Sequence, residues 1–487
     1  SDLRAALSSA LLAPYLQQVA LPISLFPGIP TAISSGIDPI PPSSRSPDAI
    51  RDLFAQGSLT NKYFAIETIE IFHEFVHSTI LSTATSVLGT CEQLRHRLRP
   101  SIPEELTHAG SDRDITNYIS RRLSSRSHDI TIHPRDTASV LDATQDAEAY
   151  FNSLFAPHPQ DFLSQEPPPL PKSLSRDYFL RDNGTPTVSP EDVATCILQY
   201  PARKAIGPDG LPSSVLRAVA LDDIRFREAL KSNPSLVASR PPILPIFSSL
   251  ALLFQMCLIA SYTPQDWGMA EILPIPKKPT SRFINEFRPI SILPQLRRYF
   301  ENIILRDISE NQVGGKPPRA PMSPLSPLQA GFRPNRSAIH HAITLHSCLQ
   351  SKPLYVALLD QEAAYDSVPI HLVMSRLRLK LPPHGQGVAD TIESLFFGNS
   401  SRILVNNSRS SPVIRRRGLA QGAPLAPILY NVFLDPLLSA LEASEPPDPM
   451  NITRNFSIPP ALSFADDITL LAASEELLRI RVAIVSN

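Results

Sequence analysis

With 487 residues the chain has room for two to four ordinary domains, and its 43% hydrophobic and 19% charged residues support a folded core and exclude wholesale disorder. A formal net charge of -1 gives no overall electrostatic case for a nucleic-acid partner, so such a partner has to be met by a locally basic groove. The four cysteines (Cys91, Cys196, Cys257, Cys348) are far apart and form no CxxC or Cys/His spacing. That excludes a disulfide framework and a zinc knuckle and favours a reducing, intracellular setting.

Proline is the anomaly: its 51 residues are about twice the usual share of roughly 5%. They cluster, and the clusters mark loops and linkers. Residues 1–60 are rich in Pro and Ser (PISLFPGIP, DPIPPSSRSP) and read as a weakly ordered segment. The apolar stretch from Leu11 to Ile29 is broken by Pro14, Pro22 and Pro27, and no basic region with a cleavage site frames it, so it is no secretion signal. Residues 61–170 form a helical region. Ile66, Ile69, Phe72, Phe75 and Val76 recur at helical spacing, and Asp146–Phe155 reads as another helix. The Pro-rich connector HPQDFLSQEPPPLPK then sets the main boundary near residue 170.

A helix over about Ser189–Tyr200 is opened by Ser-Pro-Glu. Ile246–Thr263, between Pro245 and Pro264, is apolar but diluted by Ser248, Ser249, Gln255 and Ser261. It reads as a buried helix and not a membrane span. A second Pro-rich stretch, GGKPPRAPMSPLSPL at 314–328, is expected to loop out.

Chemistry concentrates in two strand-like runs. LYVALLD (354–360) is apolar and ends on Asp360, and ALSFADDITLLAA (461–473) reads as a hairpin with Asp466 and Asp467 at its tip. A carboxylate at one strand end and two at an adjacent hairpin can hold a pair of divalent cations about 3.5–4 Å apart. Magnesium suits hard oxygen ligands and leaves room for phosphates. Asp-Asp in a hairpin is, taken alone, an ordinary turn. Further blocks in a fixed order change that reading.

Those blocks are ARKAIGPDGLPSSVLR (202–217), AEILPIPKKPTSRFINEFRPISILPQLRRYFENII (270–304), QAGFRPNRSAIHHAI (329–343), LLDQEAAYDSVP (358–369), RRRGLAQGAPLAPILYNVFLDPL (415–437) and SFADDITLL (463–471). In this order they resemble the reverse transcriptases of non-LTR (LINE-type) retrotransposons. The resemblance implies an α+β right-hand polymerase with fingers over 171–350 and an antiparallel palm over 351–487. The chain ends soon after the Ala-Asp-Asp hairpin, so the thumb is expected to be absent.

The resemblance also implies that Asp360, Asp466 and Asp467 are catalytic and bind two Mg²⁺ ions, converging on one metal pair. It makes Tyr365 an aromatic gate under the incoming sugar, and lines the nucleotide pocket with Gln421 and Gly422. Arg288, with Lys277 and Lys278, would meet the triphosphate, and Arg333 and Arg336 the template backbone. Asp366 would cap or brace the helix that follows it. The implied function is RNA-templated DNA synthesis from deoxynucleoside triphosphates, primed from a nicked DNA target, in the nucleus or in a cytoplasmic ribonucleoprotein. It names no protein partner.

Two alternatives stay open. One is a group II intron-type maturase, which shares the palm. The other is a decayed or domesticated copy that binds RNA without polymerising. The second is favoured by LAQGAPLAP, which lacks the family's usual Arg or Pro before the Gln and Ser before the last Pro, and disfavoured by three intact acids.

Overall fold

The computed structural model describes part of residues 66–81, residues 132–133, 143–157 and 188–201, and 204–486 apart from 234–244, 310–317, 352–353, 397, 407 and 445–457. The segment 1–60 and the boundary near residue 170 lie outside the described residues. The fold is α+β. Its helices are α1 (Ala143–Leu154), α2 (Pro190–Gln199), α3 (Ser213–Ser232), α4 (Pro245–Ala260), α5 (Gln295–Ile308), α6 (Ala338–Ser351), α7 (Ile370–Lys380), α8 (Gln386–Ser394), α9 (Ala426–Ala443) and α10 (Glu475–Ser486). Its strands are β1 (Met269–Pro276), β2 (Phe287–Ile292), β3 (Tyr355–Leu359), β4 (Ser400–Val405), β5 (Ser408–Arg409), β6 (Val413–Ile414), β7 (Ala461–Phe464) and β8 (Asp467–Ala472).

The chain divides into two compact units. One comprises 1–153, 166–303 and 390–414; the other comprises 154–165, 304–389 and 415–487. Residues 390–414 belong to the first because β4 pairs in parallel with β1, Met269 opposite Ser400 and Ile272 opposite Ile403. β1 also pairs antiparallel with β2, and β4 with β5 and β6, so this sheet is mixed.

In the first unit α2 starts where the sequence indicates. The Ser189 hydroxyl accepts from the Asp192 N–H, the Asp192 carboxylate accepts from the Ser189 N–H, and Pro190 occupies the first turn. The apolar run over α4 is a buried helix: Phe247, Leu250, Leu253, Phe254 and Cys257 are fully buried. Each large side chain so placed contributes roughly 1.5–3 kcal/mol. Among the described residues no helix is long and apolar enough to cross a membrane. Trp267 centres the core, 5.2 Å from Phe300 and 6.1 Å from Phe254 between ring centroids. Ile66, Ile69, Phe72 and Val76 are helical, as their spacing predicts, and Phe75 lies outside the described residues. Upstream, the Asp209 carboxylate of the GPDG block accepts from the Gln295 N–H in the first turn of α5.

In the second unit β3, β8 and β7 form a three-stranded antiparallel sheet with β8 in the centre. One expectation fails here. Of the stretch 314–328, residues 314–317 lie outside the described residues, while 319–328 pack into the unit instead of looping out, because their backbone and apolar side chains find partners. Ala320 and Met322 donate to the Asp307 and Ile308 carbonyls, Ser323 to that of Lys380, and Ser326 to the buried Asp435 carboxylate at 2.7 Å. Ala320, Met322, Leu325 and Leu328 are buried. The regular spacing of prolines hides an equally regular spacing of apolar residues.

The first unit also carries a titratable contact. The Trp267 indole N–H donates to His73 Nε2 at 3.0 Å. Burial first, then the neighbouring His77, holds the His73 imidazole down to about 4 from an ordinary 6.5, against the opposing pull of Asp266. The folded value lies below the unfolded one, so the unfolded chain binds more protons between them. The stabilisation is complete above about pH 6.5 and is lost as pH falls toward 4. We expect a loss of about 3 kcal/mol over that window. His73→Gln keeps an acceptor for the indole and should flatten the dependence. Trp267 is the only tryptophan, so its fluorescence melt reads this core directly. Parallel pH profiles for the two proteins would remove His73 from this role.

Candidate active site

The register of the three-stranded sheet brings the acidic residues to one end. Leu359 of β3 pairs with Ile468 of β8, so continuing by one residue sets Asp360 opposite Asp467. Phe464 pairs with Asp467, leaving Ala465 and Asp466 as a two-residue turn. Asp360 and Asp467 are exposed and Asp466 is half-buried. Among the described residues no group of three or more His, Cys, Asp and Glu side chains is placed to hold a metal ion. Asp360 lies just beyond the end of β3, Asp466 is in the turn and Asp467 is on β8.

The turn is held from a distance. Ala465 has φ 56, the left-handed region that two-residue hairpins require and that alanine disfavours. Its N–H donates to Gln329 Oε1 at 2.8 Å, and its carbonyl accepts from Gln329 Nε2 at 3.2 Å. The same amide receives the Gly331 N–H at 2.8 Å and donates to the Ser463 hydroxyl at 3.0 Å. Residues 328–330 run beside β7, with the Ala330 N–H on the Ser463 carbonyl and the Ser463 N–H on that of Leu328. Gly331 lies so close that a Cβ there would be 2.3 Å from the Ala465 nitrogen. Its carbonyl accepts from Asn431 Nδ2 at 2.9 Å, which ties α9 to the same point.

A second clip shapes the turn after β3. Ala363 is left-handed (φ 49), and the Asp366 N–H returns to its carbonyl. The segment 418–421 folds onto this turn: the Gly418 N–H donates to the Val368 carbonyl at 2.8 Å and the Leu419 N–H to that of Tyr365 at 2.7 Å. Gly418 has φ +87 and a Cβ there would meet the Asp366 carbonyl oxygen at 2.5 Å, so only glycine fits. Asp366 is buried and accepts from Gln421 Nε2 at 2.6 Å, with Arg415 Nη1 at 3.9 Å. It does not cap α7, whose N-cap is Pro369 without a side-chain bond. Its carboxylate is instead bonded to the Gln-Gly segment through Gln421.

The Tyr365 ring stacks on Tyr430 of α9, centroids 4.7 Å apart and planes at 16°. Burial first and Asp466 second push both phenols above their ordinary range, so Asp466 lies in the field of both rings. The hydroxyl of Tyr430 donates to Gln361 Oε1 at 2.5 Å, whereas that of Tyr365 is buried without a partner among the described residues.

The basic residues divide between the units. Arg288 on β2 is exposed, as are Lys277 and Lys278 in the β1–β2 loop, where Lys277 Nζ donates to the Asn285 carbonyl at 3.2 Å. In the second unit Arg333 donates to the Ser326 carbonyl at 2.6 Å and Arg336 to that of Pro327 at 2.5 Å. Both thus help to fasten the Pro-rich segment. Gly422 follows Gln421 in the turn before α9, with φ 117. Sequence reasoning gave no role to Gln329, Gly331, Gln361, Gly418, Tyr430 or Asn431. The Gln-x-Gly spelling of 329–331 was the available signal for the first two.

Replacing Gln329 by Leu strips acceptors from the Ala465 and Gly331 N–H groups in a buried setting. Each orphaned group costs about 1–3 kcal/mol, so we expect a loss of about 2–5 kcal/mol in chemical denaturation, with faster amide exchange at Ala465. A variant as stable as the parent would show that the turn holds itself.

Residues 275–487 match the family model for reverse transcriptase (RNA-dependent DNA polymerase). The chain is 27% identical over 274 residues to the retrovirus-related Pol polyprotein from type-1 retrotransposable element R2 of Nasonia vitripennis, covering 56% of this chain and 23% of that protein. It is 27% identical over 297 residues to the probable RNA-directed DNA polymerase from transposon BS of Drosophila melanogaster, covering 58% and 28%. With the RNA-directed DNA polymerase from mobile element jockey of the same organism it shares 25% identity over 417 residues, covering 81% and 40%. The chain therefore spans between 23% and 40% of the length of these relatives. Residues 275–487 thus match the reverse transcriptase (RNA-dependent DNA polymerase) family, and the relatives that share this region are proteins of retrotransposable and mobile elements.

Proposed function

We propose that the protein is an RNA-directed DNA polymerase that extends a DNA primer on an RNA template. One observation carries the reading: the strand end bearing Asp360, the Ala-Asp-Asp turn and the stacked Tyr365 form one neighbourhood, linked by strand register and by the field of Asp466. We assign the palm to 351–487 and the fingers to 171–350.

Asp360, Asp466 and Asp467 supply only hard oxygen donors, and among the described residues no basic side chain pairs with them. This donor set fits Mg²⁺. When bound, two such ions would activate the attacking 3′-oxygen and stabilise the leaving pyrophosphate. The chain's own part is positional. The Tyr365 ring excludes a 2′-hydroxyl and so selects deoxynucleotides. Gln421 keeps its second N–H and its Oε1 for the nucleotide while Asp366 holds the first, and Gly422 leaves room for it. Arg288, Lys277 and Lys278 meet the triphosphate. Arg333 and Arg336 meet template phosphates, which position a strand without reading its sequence. The partners are then an RNA template, a nicked DNA target as primer and deoxynucleoside triphosphates, met in the nucleus or in a cytoplasmic ribonucleoprotein.

The full-length protein, given a primed RNA template, Mg²⁺ and deoxynucleotides, should extend the primer. Asp466→Asn keeps size but removes one charge, and should slow extension at least as much as the loss of one placed electrostatic stabiliser, about 10²–10³-fold. RNA binding should be unchanged and should weaken with salt in both proteins. A parent protein that binds RNA yet extends no primer would favour the binding-only alternative. Equal extension by Asp466→Asn would remove Asp466 from the site.

A further inference from the structure

We infer that Tyr430, fixed by Gln361, is a positioning residue that sets sugar discrimination by holding the Tyr365 ring in place. The inference rests on the polymerase reading above and deepens it. A ring that excludes a 2′-hydroxyl works by standing at a fixed distance from the sugar, so whatever holds the ring sets the selectivity. The tip of Tyr365 does not hold it, because its buried hydroxyl has no partner. Its backbone is pinned by the Leu419 N–H, and its face rests flat on Tyr430 at 4.7 Å.

Tyr430 in turn is wholly buried and locked at its tip, where its hydroxyl donates to Gln361 Oε1 at 2.5 Å. Gln361 follows Asp360 directly, so the bond couples the backing of the ring to the strand end that carries the first acid. Asn431, next on α9, donates to the Gly331 carbonyl, which lies against the Ala465 turn. A tyrosine pair kept only for packing needs no hydroxyl at 430. A phenylalanine there would stack equally well and would spare the burial of a polar oxygen.

The test is single-nucleotide primer extension by the full-length protein, comparing kcat/KM for a deoxynucleotide and for its ribonucleotide. Tyr430→Phe and Gln361→Leu should each lower the ratio about tenfold, the size of one side-chain hydrogen bond. The double variant should do no more than either single one, because both break the same bond. Tyr430→Leu should fall further, toward Tyr365→Ala. Tyr430→Phe removes a single oxygen, so it keeps the test open if Tyr430→Leu fails to fold. An unchanged ratio in Tyr430→Phe, a slower rate shared by both nucleotides, or additive single effects would overturn the inference. A parent protein that extends no primer overturns the polymerase reading and this inference with it, and that outcome is visible before any variant is made.

Discussion

The constraint on which the site depends is the left-handed backbone at Ala465. A two-residue turn between β7 and β8 requires such a residue, and glycine or asparagine would supply it cheaply. Alanine there costs about 1–2 kcal/mol. The Gln329 amide offsets that strain by bonding both the N–H and the carbonyl of Ala465, each bond contributing about 1 kcal/mol. The two residues lie 136 positions apart, so the turn carrying Asp466 is fixed by tertiary contact and not by its own sequence. Gly331 exists in this scheme to let the two backbones close to contact.

The same logic recurs one turn away. The loop after β3 has its own left-handed alanine, Ala363, and is clamped by residues 418–421. Asp366 is the hinge of that clamp, taking the Gln421 amide and facing Arg415, which in turn lies 4.1 Å above the Phe155 ring. Both acid-bearing segments are therefore strained locally and satisfied remotely, an arrangement that fixes backbone atoms more tightly than propensity alone.

This explains what was legible in the sequence. The apolar runs announced β3, β7 and β8, the Ser-Pro-Glu start announced α2, and two prolines framed the buried α4, because each signal is local. The acids were legible for the same reason. The partners of Gln329, Gln421 and Tyr430 were not, since an amide or a phenol carries no mark of the carbonyl or ring it will meet. The parallel pairing of β4 with β1 joins residues 131 positions apart, for which no short-range pattern exists. Arg333 and Arg336 were assigned to a template backbone by resemblance, which gave no sign that each also spends a donor on a carbonyl of a proline-rich segment. That segment was itself misread because proline dominated its pattern and masked Ala320, Met322, Leu325 and Leu328.

What remains unsatisfied is as informative as what is satisfied. Ser463, Gln329, Asn431 and Gln421 all direct polar atoms onto named protein partners. Around them, Asp360, Asp466 and Asp467 bring like charges to one sheet end without a basic side chain among the described residues to offset them, and the Tyr365 hydroxyl is buried alone. A buried phenol hydroxyl without a partner works against stability. Asn431 Oδ1 is likewise buried without a partner among the described residues, so the scaffold bonds do not use every polar atom around the turns.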